Sequence, residues 1–90
     1  MELAVAQILS TSAQVGQVLA SRRRALKLSQ QAVAAKLGIS QNRLSELEEN
    51  PDRLTLDRLL AMANVLGLEL TIHDKAIRDM AASLPAAGEW

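Results

Sequence analysis

Gly38, Ile39 and Ser40 place the tightest constraint on this 90-residue chain. Glycine is the cheapest residue for the left-handed conformation that ends a helix, and serine is a favoured cap for starting one. Set two residues apart, they leave room only for a sharp turn between two helices. Upstream, Ser29 stands where an N-cap belongs, and Val33 and Leu37 follow at helical spacing, which predicts a helix over about 30–37. Downstream, Leu44 and Leu47 give a helix over about 41–49 one narrow apolar edge. Its other faces carry Gln41, Asn42, Arg43, Ser45 and Glu46. A helix with so thin a core stripe and amides in its first turn has something to present outward.

The flanking sequence supplies the support for this pair. Thr11-Ser12-Ala13-Gln14 fits a capping box, with Thr11 as N-cap and Gln14 reaching back. Val15, Val18, Leu19, Arg22 and Leu26 then share one stripe of a first helix over about 12–26. Thr55 is a plausible N-cap for a fourth helix, with Asp57 at the positive end of its dipole. Leu56, Leu59, Leu60, Ala63 and Leu66 are read as the inner face of that helix, and Gly67 stops it. Beyond Gly67 the period changes. Leu68, Leu70 and Ile72 alternate with Glu69, Thr71 and His73, which is the pattern of a strand over 68–73. One strand in a helical chain has no ladder partner of its own, so its backbone must pair elsewhere. The simplest partner is the same strand of a second copy, antiparallel across a two-fold axis; the other reading is irregular chain packed on the fourth helix.

Two short helices joined by a glycine turn, the second polar, are the sequence form of a helix-turn-helix. The stretch LSQQAVAAKLGISQNRLSELEEN, residues 28–50, resembles the Cro/repressor-type helix-turn-helix family, whose pattern is roughly LSQxxLAxxLGISxxxISxxExG. LSQ at 28–30, VAAKLGIS at 33–40, LS at 44–45 and Glu48 agree with it in one ungapped register. Asn50 departs from the family's glycine; asparagine is the next best left-handed C-cap, so the expected turn is kept, and Pro51 is expected to forbid further helix. The resemblance implies a mainly α, repressor-like DNA-binding domain of four or five helices, with one C-terminal strand pairing across a homodimer. It also implies that Arg23 pairs with Glu48, tying the first helix to the end of the recognition helix. Arg22 and Arg24, at about 100° to either side of Arg23 around the axis, are left for phosphate or solvent.

Composition bears on the same question. Net charge is zero, yet residues 1–43 carry six basic side chains against one acid and residues 44–90 carry four against nine. A half at +5 and a half at −5 suggest one face for phosphate and another for a different partner. There is no cysteine, so neither disulfides nor thiolate chemistry is available. No apolar run approaches the roughly 20 residues of a membrane helix, and Glu2 stands where a signal peptide would carry positive charge. A cytoplasmic, nucleoid-associated protein without membrane contact is the expectation. Catalysis finds no support: His73 is the only histidine, and the four glycines form no phosphate-binding loop. No catalytic residue, metal or cofactor is expected.

A recognition helix enters the major groove by its N-terminal end. Gln41 and Asn42 lie in that first turn, where amides that donate and accept together suit adenine N6 and N7. Ser45, one turn on, and Ser40 at the cap can reach either type of base edge. Arg43 could read guanine or contact phosphate; Glu46 could accept from cytosine N4 or be solvated. Gln30 matches a family position that holds a phosphate, and Arg53, in the loop after the recognition helix, is a second phosphate candidate.

The expected organisation is an N-terminal arm over 1–11, a DNA-binding and dimerisation domain over 12–74, and a partly flexible tail over 75–90. At the junction with the tail, Asp74 can cap a short helix. Trp90, the single aromatic residue, is either a dangling side chain or an anchor for a pocket on a partner. A bare DNA-binding module, the segment LELTIHD after the fourth helix, the loop Glu49-Asn50-Pro51-Asp52 and the Glu-Trp end together resemble HipB-type antitoxins of toxin–antitoxin systems. That resemblance implies a dimeric repressor of a palindromic operator that autoregulates its operon and neutralises a HipA-like Ser/Thr kinase toxin. The competing readings are a free-standing phage- or host-type repressor without a toxin partner, and an adaptor that uses the fold without reading DNA.

Overall fold

The computed structural model describes residues 6–75; residues 1–5 of the expected arm, most of the tail and Trp90 lie outside them. Among the described residues four α-helices are delimited: α1 (Ser12–Ala25), α2 (Gln30–Leu37), α3 (Gln41–Glu49) and α4 (Leu56–Val65), with a 3₁₀ turn at Pro51–Arg53 between the last two. Each α-helix begins on a hydroxyl. Thr11, Ser29, Ser40 and Thr55 all hold extended backbone, and each side chain accepts from an amide three residues on. At Thr11 the box is closed, because Gln14 Oε1 accepts from the Thr11 amide at 3.1 Å.

Three of the four helices end in one hydrogen-bond pattern. After α2, Ile39 N donates to Ala34 O and Gly38 N to Ala35 O; after α4, Leu68 N donates to Ala63 O and Gly67 N to Asn64 O. Gly38 and Gly67 take φ of 72° and 69°, as this Schellman closure requires. α1 closes the same way through Leu28 N to Arg23 O and Lys27 N to Arg24 O, with Lys27 at φ 60° in the role of glycine. α3 is the exception. Asn50 is not left-handed but sits at φ −126° and ψ 67°. A residue before proline is driven towards φ near −120°, so Pro51 overrides the asparagine's preference. Asn50 instead turns both its amide N and its side-chain Nδ2 onto Glu46 O, at 2.8 and 3.3 Å. Pro51 does not end helical structure; it opens the 3₁₀ turn, where its missing N–H costs nothing.

The core is aliphatic. Leu19, Val33, Ala34, Leu44, Met62 and Leu66 are buried together, and Val15, Leu28, Leu37, Ile39, Leu54, Leu59, Val65 and Leu68 pack around them. α3 lies against both α1 and α2, and α2 also packs on α4. The face of α1 differs from the leucine–valine stripe: Gly16, Leu19 and Ala20 are buried, whereas Leu26 is exposed. Small residues bring α1 close to the end of α3. A Cβ on Gly16 would stand 2.7 Å from Glu48 O and 2.8 Å from Pro51 Cγ.

One further expectation is corrected, and one is not shown. Leu56 and Leu60 do not line the inner face of α4; they are 69% and 43% exposed, and Met62 takes the buried place with Ala63 and Leu66. The inward stripe is 59, 62, 63 and 66, and Leu60 lies about 100° round from Leu59. Residues 68–73 form no strand among the described residues. Leu68 is half-buried, Leu70 exposed and Ile72 100% exposed. An isolated alternating segment has no ladder to join within its own chain, so the pattern alone does not produce one.

Two glycines are costly to replace for different reasons. Gly16→Ala improves helix propensity by about 1 kcal/mol, yet it drives a methyl into backbone and should destabilise by about 1–3 kcal/mol. Gly38→Ala meets no atom within 4 Å, so its cost is the left-handed φ alone, about 1 kcal/mol. Urea midpoints at unchanged slope measure both.

Candidate nucleic-acid interface

Ser40 starts α3, its Oγ accepting from Arg43 N at 3.0 Å. Leu44 and Leu47 hold the helix down and are fully buried. With 100° per residue, these anchors fix where every other side chain points. Asn42 stands about 170° from the direction midway between the two leucines, so it projects straight outward. Gln41 and Ser45 fall on one flank of Asn42, Arg43 and Glu46 on the other. Gln41, Asn42, Arg43, Glu46 and Glu49 are exposed and Ser45 is half-buried. Ser40, Asn42, Arg43, Ser45, Glu46 and Glu49 line one shallow concavity on this face.

By sequence, Arg43 and Glu46 are separate candidates. In the structure they form one unit, Arg43 Nη1 donating to Glu46 Oε1 at 2.8 Å. The i,i+3 spacing was the available signal. Ser40 Oγ accepts one bond at the cap, and its hydroxyl proton and a second lone pair remain.

Behind this face lies a charged network. Arg23 Nε and Nη2 donate to Glu48 Oε2 and Oε1 at 2.8 and 3.2 Å, a bidentate fork whose side chains are 11% and 7% exposed. Arg23 Nη1 also donates to Leu28 O at 3.0 Å, and Gln30 Nε2 donates to Glu48 Oε1 at 2.9 Å. Glu48 on α3 therefore holds α1 and the first residue of α2 at once. One N–H of the Gln30 amide is committed to Glu48, and the second remains to donate outward. Arg53 is exposed in the 3₁₀ turn.

Arg22 is not free for phosphate or solvent. Its Nε donates to Leu66 O at 2.9 Å, at the C-terminal end of α4. Arg58, which the sequence did not single out, donates from Nη1 to Leu37 O at 3.3 Å, at the end of α2. Both place positive charge on the unsatisfied carbonyls at the negative end of a helix dipole. Spacing within one helix carries no trace of either contact, because each reaches another element. Arg24 remains exposed.

Residues 19–72 match the model of the helix-turn-helix family, more than half of the chain, from the middle of α1 to the segment beyond α4. DNA binding and transcription regulation go with that domain. No curated protein sequence matches the chain. Among the described residues, no helix is long and apolar enough to cross a membrane.

The two ion pairs should respond differently to truncation. Glu48→Ala strands Arg23 in a nearly dry site and should cost about 3 kcal/mol. Arg43→Ala removes an exposed pair and should cost well under about 1 kcal/mol. Denaturant titration of both variants against the parent chain checks the difference.

Proposed function

The chain belongs to the helix-turn-helix family, and on that premise we propose that it is a sequence-specific transcriptional repressor that binds a palindromic operator as a two-fold dimer. The observation that carries this reading is the orientation of α3. Its leucines are spent in the core, and its first turn directs Gln41 and Asn42 away from it. Those amides, with Ser45, read base edges in the major groove, adenine above all. Ser40 contributes a hydroxyl beside them. Gln30 and Arg53 meet phosphate on either side and fix the register.

Dimerisation supplies what the segment after α4 lacks. Leu70 and Ile72 are exposed, and an alternating run of this kind gains its ladder by pairing Leu68, Leu70 and Ile72 with the same residues of a second copy. The two recognition helices then address half-sites about 34–36 Å apart.

The same chain serves as an antitoxin, repressing its own operon and neutralising a HipA-like kinase. The support is the HipB-type resemblance and the charge division, which leaves Asp57, Glu69 and other acids of residues 44–90 for a partner other than DNA. Trp90 is the proposed anchor on that partner. The alternative is a free-standing repressor.

In gel-shift titrations Gln41→Ala should lose about 1–3 kcal/mol on the operator and relax preference at one base pair; an equal loss on every sequence contradicts base reading. A stable monomer in gel filtration at micromolar concentration defeats the dimer. Pull-down of the tagged chain from its native cells should yield a stoichiometric kinase encoded beside it, whereas DNA alone on a clean dimer makes the chain an autonomous repressor.

A further inference from the structure

The geometry points to a paired reader on the flank of α3: we propose that Glu46 is a positioning residue that holds the Arg43 guanidinium as a fork for guanine, so that each half-site carries a guanine read by Arg43. The inference rests on the base-reading role of α3 proposed above and names a base that role leaves open.

Arg43 Nη1 donates to Glu46 Oε1 at 2.8 Å. Among the described residues nothing else engages the guanidinium, so its Nε–Nη2 edge is unoccupied. Two parallel N–H groups on that edge match the O6 and N7 acceptors that guanine presents in the major groove. Glu46 decides between the two roles open to Arg43. Attraction to phosphate depends on net charge, and a carboxylate 2.8 Å away cancels most of it. Reading a base depends on the direction of N–H groups, which the carboxylate fixes rather than cancels.

Charge gives the complementary argument. Glu46 stands about 130° round from the core direction, on the face that meets the duplex. A lone carboxylate there would face phosphate repulsion on both sides of the groove. Paired with Arg43 it is neutral, and its second oxygen remains to accept. The two side chains are 48% and 50% exposed, so in free protein the pair is weak and solvent-screened. Inside a groove emptied of water the same contact strengthens, and the arginine arrives with part of its rotamer freedom already spent.

Binding-site selection from a randomised duplex pool tests this on the full chain, with Arg43→Lys, Glu46→Gln and Glu46→Ala beside it and a salt titration of each. Both positions are exposed, and surface changes of this kind leave folding nearly unaltered. The parent chain should select guanine at one position of each half-site. Arg43→Lys keeps the charge and loses the fork, so preference there should fall about tenfold, the scale of one bidentate contact, with the salt slope unchanged. Glu46→Gln should weaken that same preference severalfold and leave the other positions alone. The proposal is overturned if Glu46→Gln leaves guanine selection intact. It is also overturned if both Glu46 variants bind every sequence more tightly, which would make Glu46 a repulsive bystander. A consensus with no guanine tied to Arg43 removes the paired reader and leaves base reading by Gln41 and Asn42 standing; a parent chain that selects no consensus removes base reading itself.

Discussion

Glu48 is the residue on which the placement of the recognition helix depends. Its carboxylate receives the fork of Arg23 and the amide of Gln30, and its own carbonyl lies against Gly16. One residue at the end of α3 thus meets α1 through both side chain and backbone, and α2 through Gln30. A nearly buried ion pair contributes little net stability, since desolvation offsets most of the attraction. Its contribution here is placement. The fork is bidentate and directional, so it fixes the angle of α3 to α1 where packing of small residues alone would allow sliding.

Arginines recur in the role of fastening helix ends. Arg22 reaches the end of α4, Arg58 the end of α2, and Arg23 the carbonyl of Leu28 just beyond α1. In a chain with no cysteine and one aromatic residue, the aliphatic core is small, and these contacts join elements that it touches only in part. They also alter the meaning of the charge pattern. Part of the positive charge in the first half is held in contacts within the molecule, so the surface offered to phosphate is narrower than the net +5 implies; Arg24, Lys27 and Lys36 carry its exposed share, while Arg43 is paired with Glu46.

What the sequence made legible is local chemistry. Thr11, Ser29, Ser40 and Thr55 cap helices through bonds that span three residues, and Gly38 and Gly67 end them through backbone conformations only glycine adopts easily. The outward projection of Gln41 and Asn42 was legible for the same reason, since Leu44 and Leu47 fix the phase of their helix. Legibility failed where a distant or competing influence acts. Lys27 takes a left-handed turn because the closure of α1 demands it, and nothing in its own type signals that. Asn50 loses its preference to Pro51. Met62 displaces Leu56 and Leu60 from the core because the inward face of α4 is set by the helices it meets. The alternation over 68–73 is a pattern that a single chain does not turn into a ladder, and no strand forms there among the described residues.

The clamping of α3 has a consequence for any duplex it addresses. Ser40 secures one end of the helix, Glu48 the other, and two buried leucines the middle. Such a reader has little freedom to re-aim its side chains at a poorly matched site. The adjustment must come from the DNA, by bending or untwisting at its softer steps, and that deformation costs energy that depends on sequence the protein never touches. On the proposed dimer, site choice is then governed by the stiffness of the DNA between half-sites as well as by the bases under α3.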